Sequence, residues 1–298
     1  MEAKLNIAII GPGKVGTALT VLAGRAGYQV VALGARNRQR AAGAARRISG
    51  HPVAVSPAEA AAVADIVLLT VSDSAIASVC DDLAEMGAFK RSSIVAHCCG
   101  ALGSHVLASA KRLCGCRIAS MHPLQTFPSA QAAVDSMPGA YFFLEGDANA
   151  VTELSRFVRA IGGKAVKLPG GVKAKRTKAL YHASACMASN YLAALMDAAI
   201  AAAKLAGIPA GTAWPALEKL VQATLRNVSA FGPAKALTGP ISRGDAETVR
   251  RHLDALAKDK ALDHLYRAMG LWTADLARRK GTIDAKTQRQ LKVLLRTE

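Results

Sequence analysis
Residues Ile7 to Gly16 read Ile-Ala-Ile-Ile-Gly-Pro-Gly-Lys-Val-Gly, an apolar run that turns through G-x-G-x-x-G into a helical pattern reaching Ala26. Three glycines at this spacing, between a strand and a helix, leave few folds open to the chain. Gly11 makes a tight turn, Gly13 presents bare backbone that a phosphate can approach, and Gly16 lets the helix pack closely on the strand. The free amides and positive dipole end of that helix then face an anion. The pattern predicts an α/β domain with a doubly wound Rossmann-type sheet, holding a dinucleotide pyrophosphate on Gly11, Pro12, Gly13, Lys14, Val15 and Gly16. A glycine-rich turn without a ligand is the other reading.

The end of the next strand, Gln29 to Gly34, bears on which dinucleotide. A site for NAD carries an acid there for the ribose hydroxyls, whereas this chain reads Gly34-Ala35-Arg36-Asn37-Arg38-Gln39-Arg40. Guanidinium groups grip a phosphate through paired, charge-assisted hydrogen bonds. Arg36, Asn37 and Arg38 therefore point to NADP(H) and its 2′-phosphate. Without a ligand, the same arginines form a solvated first helical turn.

The chain has 298 residues and a formal net charge of +17. Such a charge invites a nucleic-acid reading, but the basic residues are spread through both halves, aromatic residues make up only 4%, and no nucleic-acid-binding motif is evident. Attraction of anionic cofactors and acidic metabolites is the simpler consequence. No apolar run reads as a membrane span and no signal-peptide pattern precedes the first strand, so a cytoplasmic protein with no membrane partner is expected. Cys80, Cys98, Cys99, Cys114, Cys116 and Cys186 lack the spacing of a disulfide framework and are expected as reduced thiols. Cys114-Gly115-Cys116 also lacks the usual zinc-site spacing, and no metal is expected.

Beyond the glycine turn, strand and helix alternate: a helix from Asn37 to Arg47, a strand at Val53 to Val55, a helix from Pro57, and a strand from Asp65 to Val71. This order implies a parallel sheet. Ser72 and Asp73 end the last of these strands and are placed to cap a helix from Ala75 to Glu85; Ser72 is also placed to line the cofactor crevice. Two further strands, Ser93 to His97 and Arg117 to Met121, each put a histidine, His97 or His122, at or just past a carboxyl end, where such a crevice opens. His97 reads equally as a histidine bonded to the backbone at a turn; His122, followed by rigid Pro123, reads as a substrate contact. Strands from Ala140 to Leu144 and Ala165 to Leu168 bracket a helix, and Pro169-Gly170-Gly171 then marks a boundary. A dinucleotide-binding domain over 1–169 and a helical substrate and dimerisation domain over 170–298 are predicted.

The helical part begins with a long pattern from Ala174 to Ala206. At about 100° per residue, Lys178, His182, Cys186, Ser189 and Asn190 fall within about a third of its circumference. Facing the crevice, such a stripe is a catalytic face on which Lys178 or His182 delivers a proton and Asn190 orients the substrate or the acid. Facing solvent or the helix bundle, it is an ordinary polar seam. Leu237 to Asp245 is a turn between helices, in which Asp245 caps the next helix and Arg243 pairs with a carboxylate of the substrate or of the protein.

Taken together, Gly11 to Gly16, His97-Cys98-Cys99-Gly100, His122 to Phe127, Lys178 to Asn190 and Thr238 to Asp245 resemble an uncharacterised bacterial family: a Rossmann-type NADP-binding domain followed by a helical domain of unknown function, within the 6-phosphogluconate dehydrogenase-like superfamily. The chain is similar in this way to pyrroline-5-carboxylate reductase, ketopantoate reductase and prephenate dehydrogenase. His122-Pro123 resembles the turn that supplies a substrate-contacting histidine in prephenate dehydrogenases. Lys178 sits where ketopantoate reductases and hydroxyacid dehydrogenases carry a catalytic lysine, although they place asparagine one turn later, where this chain has His182. Cys99 stands where the family usually has serine, beside the expected nicotinamide position. The resemblance implies a homodimer formed through the helical domain. The expected activity is hydride transfer between NADPH and a small anionic keto or imino acid, with Lys178, His182, His122 and Asn190 at the reacting end. An NADP-binding sensor without turnover is the alternative.

Overall fold
β1 (Ile7–Ile10) is buried at every position, with Ile7 and Ile9 facing one helical layer and Ala8 and Ile10 the other. Only a strand inside a sheet covered on both faces is buried in this way. The computed structural model describes residues 5–46, 52–169 and 174–296. From β1 the chain runs through α1 (Lys14–Arg25), β2 (Val30–Gly34), α2 (Arg38–Ala45), β3 (Val53–Val55), α3 (Pro57–Ala62), β4 (Ile66–Leu69), α4 (Ile76–Glu85), β5 (Ile94–His97), α5 (Ala108–Cys114) and β6 (Arg117–Pro123). It continues through α6 (Ala130–Ser136), β7 (Tyr141–Gly146), α7 (Ala148–Ala160), β8 (Lys164–Lys167) and α8 (Ala174–Ala188). The strands form one sheet in the order β3-β2-β1-β4-β5-β6-β7-β8. Residues of α1, α6 and α7 fill the core on one face, and residues of α3, α4 and α5 fill it on the other.

Among the described strands, the expected parallel sheet holds at every pairing but one, since β6 and β7 run antiparallel. A parallel return needs a crossover that carries the chain back along the sheet. The seven-residue α6 instead packs beside α1, and the chain re-enters from the opposite end. The helical cap expected of Ser72 is also corrected. A 3₁₀ turn, Asp73–Ala75, intervenes, so Ser72 makes no side-chain capping bond and Ala75 occupies the N-cap of α4.

The chain divides into two compact units, Met1–Ser189 and Asn190–Glu298. The sheet ends near the expected 169/170 boundary, but α8 belongs with the sheet; Gly170 and Gly171 of the boundary signal lie outside the described residues. The predicted helix from Ala174 to Ala206 is interrupted at Ser189, where α9 (Asn190–Leu205) opens the second unit. Counted across that turn, Arg176–Leu205 is long and apolar enough to cross a membrane by length and composition alone, contrary to the sequence expectation. Lys178 within it is buried against the sheet.

The second unit continues with α10 (Ala210–Ala236), α11 (Pro240–Arg243), α12 (Ala246–Leu256), α13 (Lys260–Lys280) and α14 (Ala285–Leu295). Its core gathers Ile241, Val249, Leu253, Ala274, Ala277, Leu291 and Leu295. Asp245 caps α12 as predicted, accepting from the Thr248 amide at 3.0 Å. Gly232 kinks α10 with φ +77°, four residues before its end.

Candidate functional site
The glycine turn has the geometry its spacing implies. Gly11 stands at φ +86°, and a Cβ there would lie 2.6 Å from Val71 Cγ1. At Gly16 an added Cβ would collide with Thr70 Oγ1 and come within 2.9 Å of Ile9 Cγ2, so the helix reaches the strand only because this residue is glycine. Gly13 differs: the nearest atom to an added Cβ is the Gly11 carbonyl oxygen at 3.9 Å, and the residue is exposed. Bare backbone here is therefore not demanded by packing; it leaves open space at the mouth of the turn.

That opening suits an anion. Gly13 is the N-cap of α1, and among the described residues no side chain caps the helix and no acid stands in its first turn. The first-turn amides lack intrahelical partners, and the helix dipole is positive there. Lys14 is exposed and Val15 half-buried on the same turn. Thr70, which the sequence reading missed, fixes the turn from β4 by donating from Oγ1 to the Gly11 carbonyl at 2.7 Å. After β2, the Arg36 side chain is exposed and Asn37 lies beside it in the chain; the side chains of Arg38 and Arg40 are outside the described residues. The turn fits a pyrophosphate, and the absence of an acid in the segment after β2 fits a 2′-phosphate.

A second cluster lies at the carboxyl ends of β5 and β6, where α8 meets the sheet. Lys178 is only 1% exposed, and its Nζ donates to Ser120 Oγ on β6 at 2.5 Å. Burial pulls its ammonium below an ordinary lysine, while the Glu145 carboxylate opposes that effect. Tyr181, one turn further along α8, places its hydroxyl 2.6 Å from His122 Nδ1 and its ring against Phe143, with centroids 4.5 Å apart. His122 and Phe143 are cross-strand partners of β6 and β7, so one register sets both contacts.

Burial, with the nearby Lys178 and His182, pushes the His122 imidazole down to about 4, and burial raises the Tyr181 phenol. Both groups are therefore neutral near pH 7. We assign the phenol as donor to Nδ1, because a phenol is the better donor and a neutral imidazole nitrogen the better acceptor. The ring proton then sits on Nε2. An added Cβ on Gly100 would lie 2.8 Å from that Nε2 and 2.5 Å from His182 Cδ2, so Gly100 leaves the space between the two imidazoles.

His97 takes the backbone role. It is fully buried, accepts from the Cys99 amide at Nδ1 (3.2 Å) and pairs through Nε2 with the Gly103 carbonyl (3.3 Å), while burial lowers it to about 4. It holds the loop after β5 in shape. Cys99 is turned into the same loop, its Sγ accepting from the amides of Ala101 and Leu102, and burial followed by a bond to Asp73 keeps the thiol protonated. Ser72 is exposed beyond β4. Asn190 opens α9 in the second unit and is exposed, so the predicted stripe is divided between units after Ser189. Among the described residues, no group of three or more His, Cys, Asp or Glu could hold a metal ion, and all six cysteines are free. Tyr181 and Ser120 completed the cluster unannounced; a tyrosine one turn after Lys178 on the same helix face was the available signal.

The sheet order and the glycine turn together define a Rossmann-type fold. The family comparison agrees: residues 1–123 match the Rossmann-like domain family, and residues 140–273 match a domain of unknown function, DUF2520. The second match begins at the strands β7 and β8 of the sheet and runs on through α8 into the helices of the second unit. Among solved structures it is similar to a protein from Thermotoga maritima (21% identity, TM-score 0.71, covering 92% of this chain and 99% of that one). It is also similar to a variant imine reductase from Myxococcus stipitatus in complex with NAD+ (16%, TM-score 0.62, 97% and 99%) and to a pyrroline-5-carboxylate reductase from Coxiella burnetii (18%, TM-score 0.56, 99% and 100%). At these identities the likeness is one of fold. A search of curated proteins found no match.

Proposed function
We propose that the protein is an NADP(H)-dependent oxidoreductase that acts on a small anionic keto or imino acid. The observation that carries this reading is the buried Lys178 ammonium, delivered by α8 to the carboxyl end of the sheet that also bears the glycine turn. Gly11 to Gly16 and the N-terminus of α1 would hold the pyrophosphate, and Arg36 with Arg38 the 2′-phosphate. NADPH supplies a hydride when bound.

The chain's own residues bind, orient and protonate. Lys178, held by Ser120, presents an ammonium whose lowered proton affinity suits donation to a carbonyl oxygen or imine nitrogen. His122, fixed by Tyr181, aims Nε2–H into the space over Gly100, where it orients the substrate by a hydrogen bond. The strong positive charge of the chain favours anionic substrates. We further propose a cytoplasmic homodimer. Exposed apolar side chains in the second unit, Leu220, Phe231 and Trp272 among them, support the dimer, and light scattering of the purified protein tests it.

The test is a fluorescence titration with NADPH and NADH, followed by NADPH oxidation across keto and imino acids. Selective binding with turnover supports the reductase; binding with no turnover across the panel turns the reading to a sensor. Arg36→Ala with Arg38→Ala is expected to weaken NADPH at least about tenfold, the worth of one charged hydrogen bond, and to leave NADH nearly unchanged. Equal losses for the two cofactors remove the 2′-phosphate assignment. Tyr181→Phe is expected to lower kcat about three- to tenfold through a misaimed His122, with NADPH affinity unchanged; steady-state kinetics beside a binding titration reads both.

A further inference from the structure
Glu145 is an acid where the sheet has little room for one. It lies on β7, 5% exposed, directly opposite Ser120 of β6 in the antiparallel register. Opposed residues of a β-ladder share a face, so its carboxylate stands on the side of the sheet where Ser120 receives Lys178. A buried carboxylate is retained only when it is bonded and has a counter-charge. Both its oxygens are used: Oε1 accepts from the Ser104 amide at 2.7 Å and Oε2 from the Ser104 hydroxyl at 2.8 Å. Ser104 closes the loop that begins at His97 and contains Cys99, Gly100 and Gly103.

We propose that Glu145 is a positioning residue with two tasks: it keeps Lys178 as the ammonium ion, and it clamps the loop from His97 to Ser104 over which His122 and His182 face each other. Glu145 supplies the negative charge that Lys178 needs without contacting the reacting atoms. Among the described residues, the other groups facing Lys178 are Ser120 and His122 from β6, His97, Cys98 and Cys99 from the end of β5, and Tyr181 from its own helix. The histidines are neutral, and burial raises the two thiols, so none of these replaces the carboxylate. The antiparallel turn of β7 thereby gains a purpose, because it brings Glu145 level with Ser120.

The inference rests on Lys178 as the proton donor, but its test does not require turnover. The full-length protein is labelled with ¹³C,¹⁵N-lysine, and the Lys178 resonance, assigned by its loss in Lys178→Met, is titrated with pH. In Glu145→Gln the Lys178 midpoint is expected to fall by about one pH unit, the usual effect of losing a nearby opposite charge. Glu145→Asp keeps the charge but withdraws it by one methylene and lowers the midpoint less; it carries the test if the glutamine variant does not fold. Ser104→Ala keeps the charge, so it leaves the midpoint in place and speeds amide exchange over residues 98–104. An unchanged midpoint in both Glu145 variants overturns the proposal. A midpoint that moves as expected in a protein without turnover upholds it and counts only against the proposed reaction.

Discussion

Lys178→Met is expected to lower kcat by about a hundred- to ten-thousandfold, the usual worth of a positioned general acid, while NADPH affinity stays at its wild-type value. The lysine side chain is 1% exposed and sits on Ser120, away from the glycine turn that holds the cofactor in our reading. Methionine matches its length but leaves the buried Glu145 carboxylate without its counter-charge, and breaking a buried charge pair costs about 3–5 kcal/mol. Thermal melting should therefore show a clear loss, and kcat is compared at a temperature where both proteins remain folded, which separates chemistry from folding. The wild-type pH profile carries the same signature. Because burial pulls the Lys178 ammonium below an ordinary lysine, a rate that needs the charged form falls on the alkaline side at a pH below the ordinary lysine range. Full turnover in Lys178→Met would overturn the assignment.

The second large effect distinguishes two glycines of one motif. Gly13→Val should leave stability nearly unchanged, because a Cβ there meets nothing closer than 3.9 Å and the backbone, at φ −81° and ψ −156°, is one that any residue adopts. Its branched side chain fills the opening that a pyrophosphate needs. Losing two charged amide contacts, at about 1.5 kcal/mol each, weakens NADPH on the order of a hundredfold. Gly16→Val acts through the fold: its Cβ collides with Thr70 and crowds Ile9, and overpacking of this kind costs about 3 kcal/mol. Urea unfolding and NADPH titration on both variants read the contrast. A Gly13→Val protein that binds NADPH normally would remove the phosphate reading of the turn.

The glycine turn was legible because its determinants are local. Gly11, Gly13 and Gly16 act through backbone within ten residues of β1, and the alternation of strand and helix follows from apolar spacing along the chain. The Asp245 cap is equally local, since the carboxylate and the Thr248 amide are three residues apart. Ser72 failed as a cap because one short 3₁₀ turn, below the resolution of pattern reading, moved the helix start away from it.

The catalytic candidates were half legible. Lys178, His182 and His122 could be named from their places at a strand end and on a helix face. Their partners could not, because Tyr181 meets His122 across 59 positions of sequence and Glu145 meets Ser104 across 41. Helical spacing alone also grouped Asn190 with Lys178, but the break at Ser189 assigns them to different units. The sequence by itself determined the α/β class, the glycine turn and the chemistry available at each position, since these depend on residue type and near neighbours. Only the tertiary structure decided that β7 runs antiparallel, that α8 belongs with the sheet, and that Glu145, Ser120 and Lys178 share one buried corner. Those outcomes depend on how distant segments pack, and packing is a property of the whole core that no local pattern carries.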